Sequence, residues 1–503
     1  MIKSQSGGLC KRKNRIERRL ERRNWAEQAE RMLGAGHVEY EMADRTRAMS
    51  YGGLGVIHEM VTKAGLAGDI DQQLGLLQRH LPYHESDHVL NLAYNVLTGG
   101  TRLEDLELRR QDEAYLDALG AQRIPDPTTA GDFTRRFKPA DIETLMNCAN
   151  QTRQRIWRQA GTVMEEAVID VDGTIAATEG ECKAGMGLSY TGVWSYGPLV
   201  ISLANTGEVL FTVNRSGNEV SHAGAVEWMD KAILLMQGHA KRVCVRGDTG
   251  FYLTANFDRW AKTIDFVFGM DAYPNIKALA AALPEGQWQP LERRPKYQVA
   301  TTPRRCPVNV REQIVFEQQY KNVRLKSEQV AEFQYQPTKC ERPYRVVVLR
   351  KNLSIEKGET VLFDDIKYFF YITTRTDLTA QEVVWFANGR CNQENLIEQL
   401  KNGVNAMRMP VSDLNSNWAY MVMASLAWNF KQWFALLVPD PRRGQEIRGM
   451  EFRRFLHSFI LLPCQILKSG RRIIYRLLSY NGWVKDLFAT HKRISKLRLG
   501  FET

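Results

Sequence analysis

Two short segments and one predicted helix carry acidic side chains whose positions suit a pair of divalent metal ions. Residues 168–174 read Val-Ile-Asp-Val-Asp-Gly-Thr, and residues 243–248 read Val-Cys-Val-Arg-Gly-Asp. Each is an apolar run typical of a buried strand that ends in an aspartate. We expect the strand-end residues Asp172 and Asp248 to converge with Glu394, which lies on the predicted helix. These three residues would be the catalytic metal ligands. Carboxylates are the ligands that Mg²⁺ prefers, and two ions about 3.5–4 Å apart promote phosphoryl transfer.

Three side chains of the predicted helix are expected to share one face. At about 100° per residue, Glu394 lies about 40° from Arg390, and Lys401 lies about 20° back from Glu394. A carboxylate flanked by two cations suits a metal site beside a phosphate backbone, with Arg390 and Lys401 binding phosphate oxygens. Glu398, about 40° beyond Glu394, is an alternative ligand. On an ordinary solvated helix, the same residues would simply form ion pairs.

Asp170 makes the first acidic segment ambiguous. It lies two residues before Asp172 on the same face of the strand, so it is either a supporting group or the true ligand. The Asp-x-Asp-Gly-Thr string also matches the opening of haloacid-dehalogenase-like phosphatases, in which the first Asp attacks phosphorus. Against that reading, no carboxylate follows Asp248 until Asp258, and strands rather than a helix are predicted after Thr174. A phosphotransferase using Asp170 is the alternative function.

The charge balance of the chain indicates a polyanionic partner. Its 503 residues include 68 Lys and Arg against 57 Asp and Glu, a formal net charge of +11. Such an excess is typical of proteins that bind nucleic acid or an anionic membrane surface. Basic residues are concentrated in residues 9–23 and in residues 440–503. The first run is either a solvated helix or an arm that neutralises phosphates.

The cysteine and apolar patterns favour a reducing, cytoplasmic setting without a membrane span. The eight cysteines are scattered, with no Cys-x-x-Cys pair, which argues against a zinc ribbon and a disulfide framework. The N-terminus has no apolar segment typical of a secretory signal. Polar residues interrupt the apolar stretch 418–438, which predicts a buried helix. A zinc site at His84 and His88, four apart on a predicted helix, would need two more ligands, and none is expected beside them, so no zinc site is expected there.

Local patterns divide the chain into six segments. Residues 48–160 are helical in periodicity, and from about residue 165 the order β-β-β-α-β-α-β is predicted. Later strands are predicted at Gln313–Phe316 and Tyr344–Leu349, and a helix from Thr379 to about Lys401. The segments are a basic N-terminal arm (1–47), a helical DNA-binding domain (48–160), the first part of an α/β catalytic core (161–269), a β-rich insertion (270–362), the second part of the core (363–439) and a basic helical C-terminal region (440–503).

In this order and spacing, the motifs resemble those of DDE-type transposases of bacterial insertion sequences. Arg390, Glu394 and Lys401 match the spacing of the last three residues in the family's Tyr-x2-Arg-x3-Glu-x6-Lys signature. Residues 172–174 and 246–251 resemble the first and second acidic motifs of the family. Ala387 stands at the Tyr position, a departure from the pattern. The aromatic contact to a phosphate is then lost or supplied by Phe386 or Trp385.

The resemblance implies a fold and an activity. The fold would be a ribonuclease-H-like mixed-sheet core interrupted by a β-rich insertion, with helical regions at both ends of the chain. The activity would be Mg²⁺-dependent cleavage and strand transfer of double-stranded DNA at the ends of a mobile element, with Mn²⁺ able to substitute. A homodimer in a synaptic complex and a nucleoid-associated location would follow. The missing Tyr leaves open a descendant that binds DNA but has lost catalysis.

Overall fold

The computed structural model is a mixed α/β structure, and it describes residues 2–21, 39–42, 45–80, 82–178, 180, 183–293, 321–357 and 360–497. The α-helices of these ranges are α1 (Ile2–Glu21), α2 (Leu54–Lys63), α3 (Leu66–Gln73), α4 (Glu85–Leu97), α5 (Leu106–Arg110), α6 (Glu113–Leu119), α7 (Pro127–Thr134), α8 (Pro139–Ala160), α9 (Ala225–Met236), α10 (Phe257–Trp260), α11 (Pro274–Ala281), α12 (Ala380–Asn388), α13 (Cys391–Glu398), α14 (Leu414–Leu436), α15 (Pro441–Arg448), α16 (Phe452–Phe455) and α17 (Val484–Ile494). The strands are β1 (Ala48–Met49), β2 (Met164–Gly173), β3 (Ala176–Ala177), β4 (Gly187–Leu188), β5 (Trp194–Tyr196), β6 (Leu199–Leu203), β7 (Glu208–Val213), β8 (Ala240–Gly247), β9 (Asp265–Met270), β10 (Gln289–Pro290), β11 (Lys321–Tyr335), β12 (Tyr344–Lys357), β13 (Thr360–Thr373), β14 (Cys464–Ser469) and β15 (Arg472–Leu477).

One large mixed sheet organises the described part of the chain. Its strand order is β10-β11-β12-β13-β9-β8-β2-β6-β7. Strands β2, β8 and β9 are parallel to one another, and the other neighbours are antiparallel. The predicted order β-β-β-α-β-α-β is confirmed as β2, β6, β7, α9, β8, α10 and β9. A small sheet of β3, β5 and β4 lies between β2 and β6 in sequence.

The strands of the β-rich segment extend the core sheet instead of forming a sheet of their own. Strand β13 crosses the predicted boundary at residue 362, and its last residues, Phe370 to Thr373, pair with β9. The predicted strand Tyr344–Leu349 is the beginning of β12. The predicted strand Gln313–Phe316 lies outside the described residues. This continuity was not predicted, because a strand pattern in the sequence does not specify which strand it pairs with.

Helix α14 covers the edge strand β7 and forms the centre of the core. Nearly every residue of α14 is buried. Asn429 accepts a hydrogen bond from the Val209 amide and donates one to the Val209 carbonyl, at 2.9 and 3.0 Å. Trp428 Nε1 donates to the Gly207 carbonyl at 2.7 Å. The helix thus satisfies backbone groups that an edge strand would expose. Among the described helices, none has the length and apolar character needed to cross a bilayer.

The N-terminal helices are those predicted, whereas the C-terminal region differs from the prediction. Helices α2 to α8 account for most of residues 48–160. Residues 440–503, expected to be helical, also contain the hairpin β14–β15, to which β1 adds a third strand. Both a local turn and a tertiary contact account for this hairpin. Gly470 has a φ of 58°, which suits the tight turn, and β1 pairs from a distant part of the chain.

The predicted glutamate helix is broken into two helices and a wider turn. The Thr379–Glu382 capping box begins α12 as predicted. Gly389 and Arg390 then form a tighter turn, in which the Arg390 amide donates to the Ala387 carbonyl, before α13 begins. Residues Gln399–Gly403 form a π turn. The rotation of about 100° per residue therefore does not hold across the whole segment.

Candidate active site

Asp172 and Asp248 lie side by side at the carboxyl ends of two neighbouring parallel strands. In the β2–β8 register, Asp170 is opposite Arg246, and each aspartate follows two residues later. Asp172 is the penultimate residue of β2, and Asp248 directly follows β8. Asp248 begins a short 3-10 turn and accepts a hydrogen bond from the Gly250 amide at 2.9 Å. The strand order therefore brings together two carboxylates that are far apart in the sequence.

Asp172 is the buried member of the site, and its surroundings disfavour its negative charge. Its side chain is 13% exposed. The pKa of Asp172 is raised to about 6, chiefly by burial; the charge of Arg390 lowers it, and the charges of Asp248 and Glu394 contribute to the rise. Because Asp248 and Glu394 both contribute, each of them lies within electrostatic reach of Asp172. A divalent cation would relieve this cost.

Arg390 connects the glutamate helix to the first aspartate. Its Nη1 donates to Asp172 Oδ2 at 2.7 Å, and its Nη2 donates to Glu394 Oε1 at 3.3 Å. Glu394 lies on α13 and is 58% exposed on its side chain. The guanidinium group thus bridges two of the three carboxylates. In the described part of the chain, the oxygens of Asp172, Asp248 and Glu394 are not all within 4.8 Å of one another. This spacing is expected for like charges separated by a guanidinium group.

Glu398 and Lys401, the two other candidate residues of the predicted helix, make their contacts away from the three carboxylates. Glu398 accepts a hydrogen bond from Asn402 Nδ2 at 2.5 Å. Lys401 lies in the π turn, and burial lowers its pKa while the charge of Glu398 raises it. No contact joins Lys401 to the three carboxylates among the described residues. Among the described residues of the predicted stripe, Arg390 contacts Glu394, and Lys401 contacts neither of them.

Asp170 is held in a buried ion pair. Arg246 Nε donates to Asp170 Oδ1 at 2.6 Å, and Arg246 Nη2 donates to Asp170 Oδ2 at 2.8 Å. Asp170 is 1% exposed. Burial raises its pKa, and the hydrogen bonds and charge of Arg246 lower it. Since both oxygens contact Arg246, Asp170 has no free face for a nucleophilic attack, which disfavours the phosphotransferase alternative.

Arg246 also fixes the turn that carries Arg390. Its Nη1 donates to the Phe386 carbonyl at 2.6 Å, and its guanidinium lies 4.8 Å from the centre of the Phe386 ring. A Cβ atom added to Gly389 would lie 2.5 Å from Arg246 Nη1. Arg246 was given no role of its own from the sequence. Its only local signal was a charged residue directly after the apolar run Val243–Val245 of β8, which indicates a buried partner.

Gly389→Ala is expected to destabilise the protein by about 1–3 kcal/mol, because the new methyl group meets a guanidinium held by three hydrogen bonds. The matched control is Gly449→Ala, where the nearest atoms to the new Cβ would be ordinary contacts at 3.7 Å. Thermal unfolding of both variants measures the difference. Equal unfolding midpoints for the two would show that Arg246 does not constrain this turn.

An aromatic residue lies near Arg390 even though Ala387 occupies the expected Tyr position. Burial raises the pKa of Tyr371, and the charges of Arg293 and Arg390 lower it. Tyr371 lies on β13 opposite Gly269 of β9. Only Phe386 and Trp385 were considered from the sequence as substitutes. Tyr371 was missed because its position near Arg390 depends on strand pairing, not on helical spacing.

Comparisons with known proteins give the family of the chain. Residues 37–499 match the family model described as transposase DDE domain, group 1. A search of curated proteins found no match. Among solved structures, the cryo-EM structure of the piggyBac transposase synaptic complex with hairpin DNA is 10% identical, with 90% of this chain and 86% of that chain covered and a TM-score of 0.34. A similarity this low carries no information on mechanism. The family model, however, covers nearly the whole chain, and this protein therefore belongs to the DDE transposase family, group 1.

Proposed function

We propose that the protein binds the ends of an insertion element in double-stranded DNA and catalyses metal-dependent strand cleavage and transfer into target DNA. The observation that carries the proposal is the bridge made by Arg390 between Asp172 and Glu394, beside the strand-end Asp248. The proposed catalytic residues and metal ligands are Asp172, Asp248 and Glu394.

The strand order supports a ribonuclease-H-like core. Strands β2, β6 and β7 form an antiparallel meander, and β8 and β9 follow on the other side of β2, both parallel to it. In this proposal, residues 161–269 and 363–439 are the two parts of the core. Residues 270–362 are the insertion, with strands that lengthen the same sheet. Residues 48–160 would bind DNA together with the basic segments 1–47 and 440–503.

The donor set fits magnesium. Three carboxylates offer hard oxygen ligands, and neither His nor Cys belongs to the set, which also suits Mn²⁺. When bound, paired divalent ions stabilise the charge on the attacking and leaving oxygens of a phosphodiester. Asp172 is the central ligand in this proposal, because its burial gives it the strongest need for a cation. Asp248 and Glu394 would complete the site from β8 and α13.

The cations of the site would position DNA. Arg390, which now contacts Asp172 and Glu394, would be available to a phosphate oxygen once a divalent cation neutralised those carboxylates. Lys401 is the second proposed phosphate contact, and the phenol of Tyr371 is a third group beside Arg390. Arg246 and Asp170 have a positioning role, because they join β2 and β8 to the turn before α13. A homodimer that holds two DNA ends in the nucleoid is the proposed assembly.

The test uses full-length protein and labelled duplexes taken from the DNA that flanks its coding region. With Mg²⁺, we expect the protein to bind these duplexes specifically, to nick them and to join them to a second duplex. Binding without nicking, with Mg²⁺ or Mn²⁺, would support a family member that has lost catalysis. An absence of binding to these duplexes would contradict the proposal. Release of phosphate from a small phosphoester, abolished by Asp170→Asn, would support the phosphotransferase instead.

Metal binding is expected to weaken in acid because of Asp172. Its pKa is raised to about 6, mainly by burial, so the carboxyl group becomes protonated as the pH falls through 6. A metal ligand must lose its proton, and the apparent Mn²⁺ affinity should fall by about tenfold per pH unit below 6. Calorimetric titration of the protein with Mn²⁺ between pH 5 and 7 measures this. A constant affinity over that range would exclude Asp172 as a ligand with this pKa.

A further inference from the structure

Glu85, at the start of α4, is a fully buried carboxylate whose neighbours include imidazoles. It is 0% exposed. Its Oε1 accepts hydrogen bonds from the amides of Leu76 and Leu77, at 3.1 and 2.9 Å. Its Oε2 lies 3.0 Å from His80 Nε2. The two backbone bonds fix the carboxylate and direct its second oxygen toward His80.

A second imidazole stands beside the first. The rings of His80 and His84 are stacked with centres 4.3 Å apart and planes 16° from parallel. One ligand atom each from His80, His84 and Glu85 lie within 4.8 Å of one another, the one such group among the described residues. The sequence prediction of no zinc site rested on His84 and His88. That prediction did not consider His80 and Glu85, which the loop after α3 brings to His84, while the His88 ring stacks on Phe133.

The charges around Glu85 point to a cation. In the part of the chain that the structure describes, no Lys or Arg nitrogen lies within 4.0 Å of its carboxylate, and His80 is its one ion-pair partner there. Burying a carboxylate without a permanent cation beside it is unfavourable. A divalent ion held by Glu85 and the two imidazoles would supply the missing positive charge.

We propose that His80, His84 and Glu85 bind one zinc-class divalent ion. Two imidazoles and a carboxylate, with water as a fourth ligand, are a donor set that zinc accepts, and both imidazoles are exposed to solvent. Tetrahedral bonds of about 2.1 Å place ligand atoms about 3.4 Å apart. Because the ligand atoms lie within 4.8 Å of one another, closing the site requires a movement of at most about 1.4 Å, within reach of a turn of an exposed His side chain.

The ion would join the loop after α3 to the first turn of α4. The backbone bonds from Leu76 and Leu77 to Glu85 Oε1 form the supporting layer of such a site, since they orient the ligand. The loop also carries Arg79 and Tyr83, which line a cavity of about 550 Å³ with His88 and Arg136. Binding would thus stiffen one wall of that cavity. This site is separate from the proposed catalytic carboxylates, which contain no imidazole.

The test measures zinc bound to the full-length protein after removal of metal by a chelator and dialysis against Zn²⁺. We expect His80→Ala and His84→Ala each to weaken one zinc site by at least tenfold, and Zn²⁺ to raise the unfolding temperature of the wild type but not of these variants. The matched control is His491→Ala. His491 Nε2 lies 2.9 Å from Glu59 Oε2, the same kind of pair without a second imidazole, and its loss should leave the zinc site intact.

The outcomes decide the proposal in either direction. Wild-type protein that binds no zinc, or His80→Ala and His84→Ala variants that bind it as tightly as the wild type, would overturn it. An equal loss in His491→Ala would also overturn it, since the loss of zinc would then not be specific to His80 and His84. Because His80 and His84 are exposed, the variants are expected to unfold at the wild-type temperature without metal. Glu394→Gln should retain this site, which separates it from the proposed catalytic metals.

Discussion

Glu394→Gln is expected to reduce Mg²⁺-dependent cleavage of element-end DNA by about 10³-fold, whereas Glu398→Gln is expected to leave cleavage within about twofold of the wild type. Metal ligation at a phosphoryl-transfer site contributes several kcal/mol to transition-state stabilisation, and about 4 kcal/mol corresponds to about 10³-fold in rate. Glutamine keeps the shape of the side chain and removes the charge.

The contrast between the two glutamates rests on their contacts. Glu394 is joined to Asp172 through Arg390, and its charge raises the pKa of Asp172. Glu398, one turn later on α13, bonds to Asn402. Both are exposed, so neither substitution is expected to unfold the protein. Comparing Glu394→Gln with Glu398→Gln therefore tests the effect of the position of the carboxylate, because the chemical change is the same in both variants.

Single-turnover nicking of labelled duplexes measures both variants, with binding followed separately by fluorescence anisotropy. Asp248→Asn should lose cleavage to the same degree as Glu394→Gln while binding DNA. If Glu398→Gln lost cleavage and Glu394→Gln retained it, the alternative ligand considered from the sequence would be the correct one. Equal retention in both variants would exclude this helix from the metal site.

Glu208→Leu is expected to destabilise the protein by about 3–5 kcal/mol, the typical effect of removing one partner from a buried ion pair. Glu208 and Arg153 are both 0% exposed, and Arg153 Nε donates to Glu208 Oε1 at 2.9 Å. Trp157 Nε1 and Trp433 Nε1 donate to the same carboxylate, at 2.9 and 2.7 Å. The substitution would leave a buried guanidinium and two indole N–H groups without their acceptor.

The position of this network explains why its loss should matter. Glu208 begins β7, Arg153 and Trp157 lie on α8, and Trp433 lies on α14. One carboxylate therefore joins the last N-terminal helix, the edge of the main sheet and the central helix. Weakening it should loosen the attachment of the N-terminal helices to the sheet that carries the aspartates.

Urea unfolding followed by tryptophan fluorescence measures the change in the free energy of unfolding. The double variant Arg153→Met with Glu208→Leu should recover most of the loss, because it removes both charges together. The exposed pair Lys231–Glu227 is the control, and Glu227→Ala should cost less than about 1 kcal/mol. A loss below about 1 kcal/mol for Glu208→Leu would show that water or rearrangement satisfies Arg153.

The sequence by itself determined the local features of the candidate site. An apolar run that ends in Asp172 or Asp248 identifies a strand end, because side-chain periodicity and turn residues are encoded over a few positions. The Thr379–Glu382 capping box located the start of α12 for the same reason. The buried character of α14 was likewise predicted from its apolar stretch.

Only the tertiary structure decided which of these features meet. The parallel pairing of β2 with β8 aligns the two aspartates, and the turn at Gly389 and Arg390 sets a guanidinium between Asp172 and Glu394. Three features were not predicted from the sequence. They are the Asp170–Arg246 pair, the extension of the core sheet by strands β10 through β13, and the approach of His80 to Glu85. Each depends on strand register, a broken helix or a loop path. These are set by the packing of the whole chain, and local periodicity does not record them.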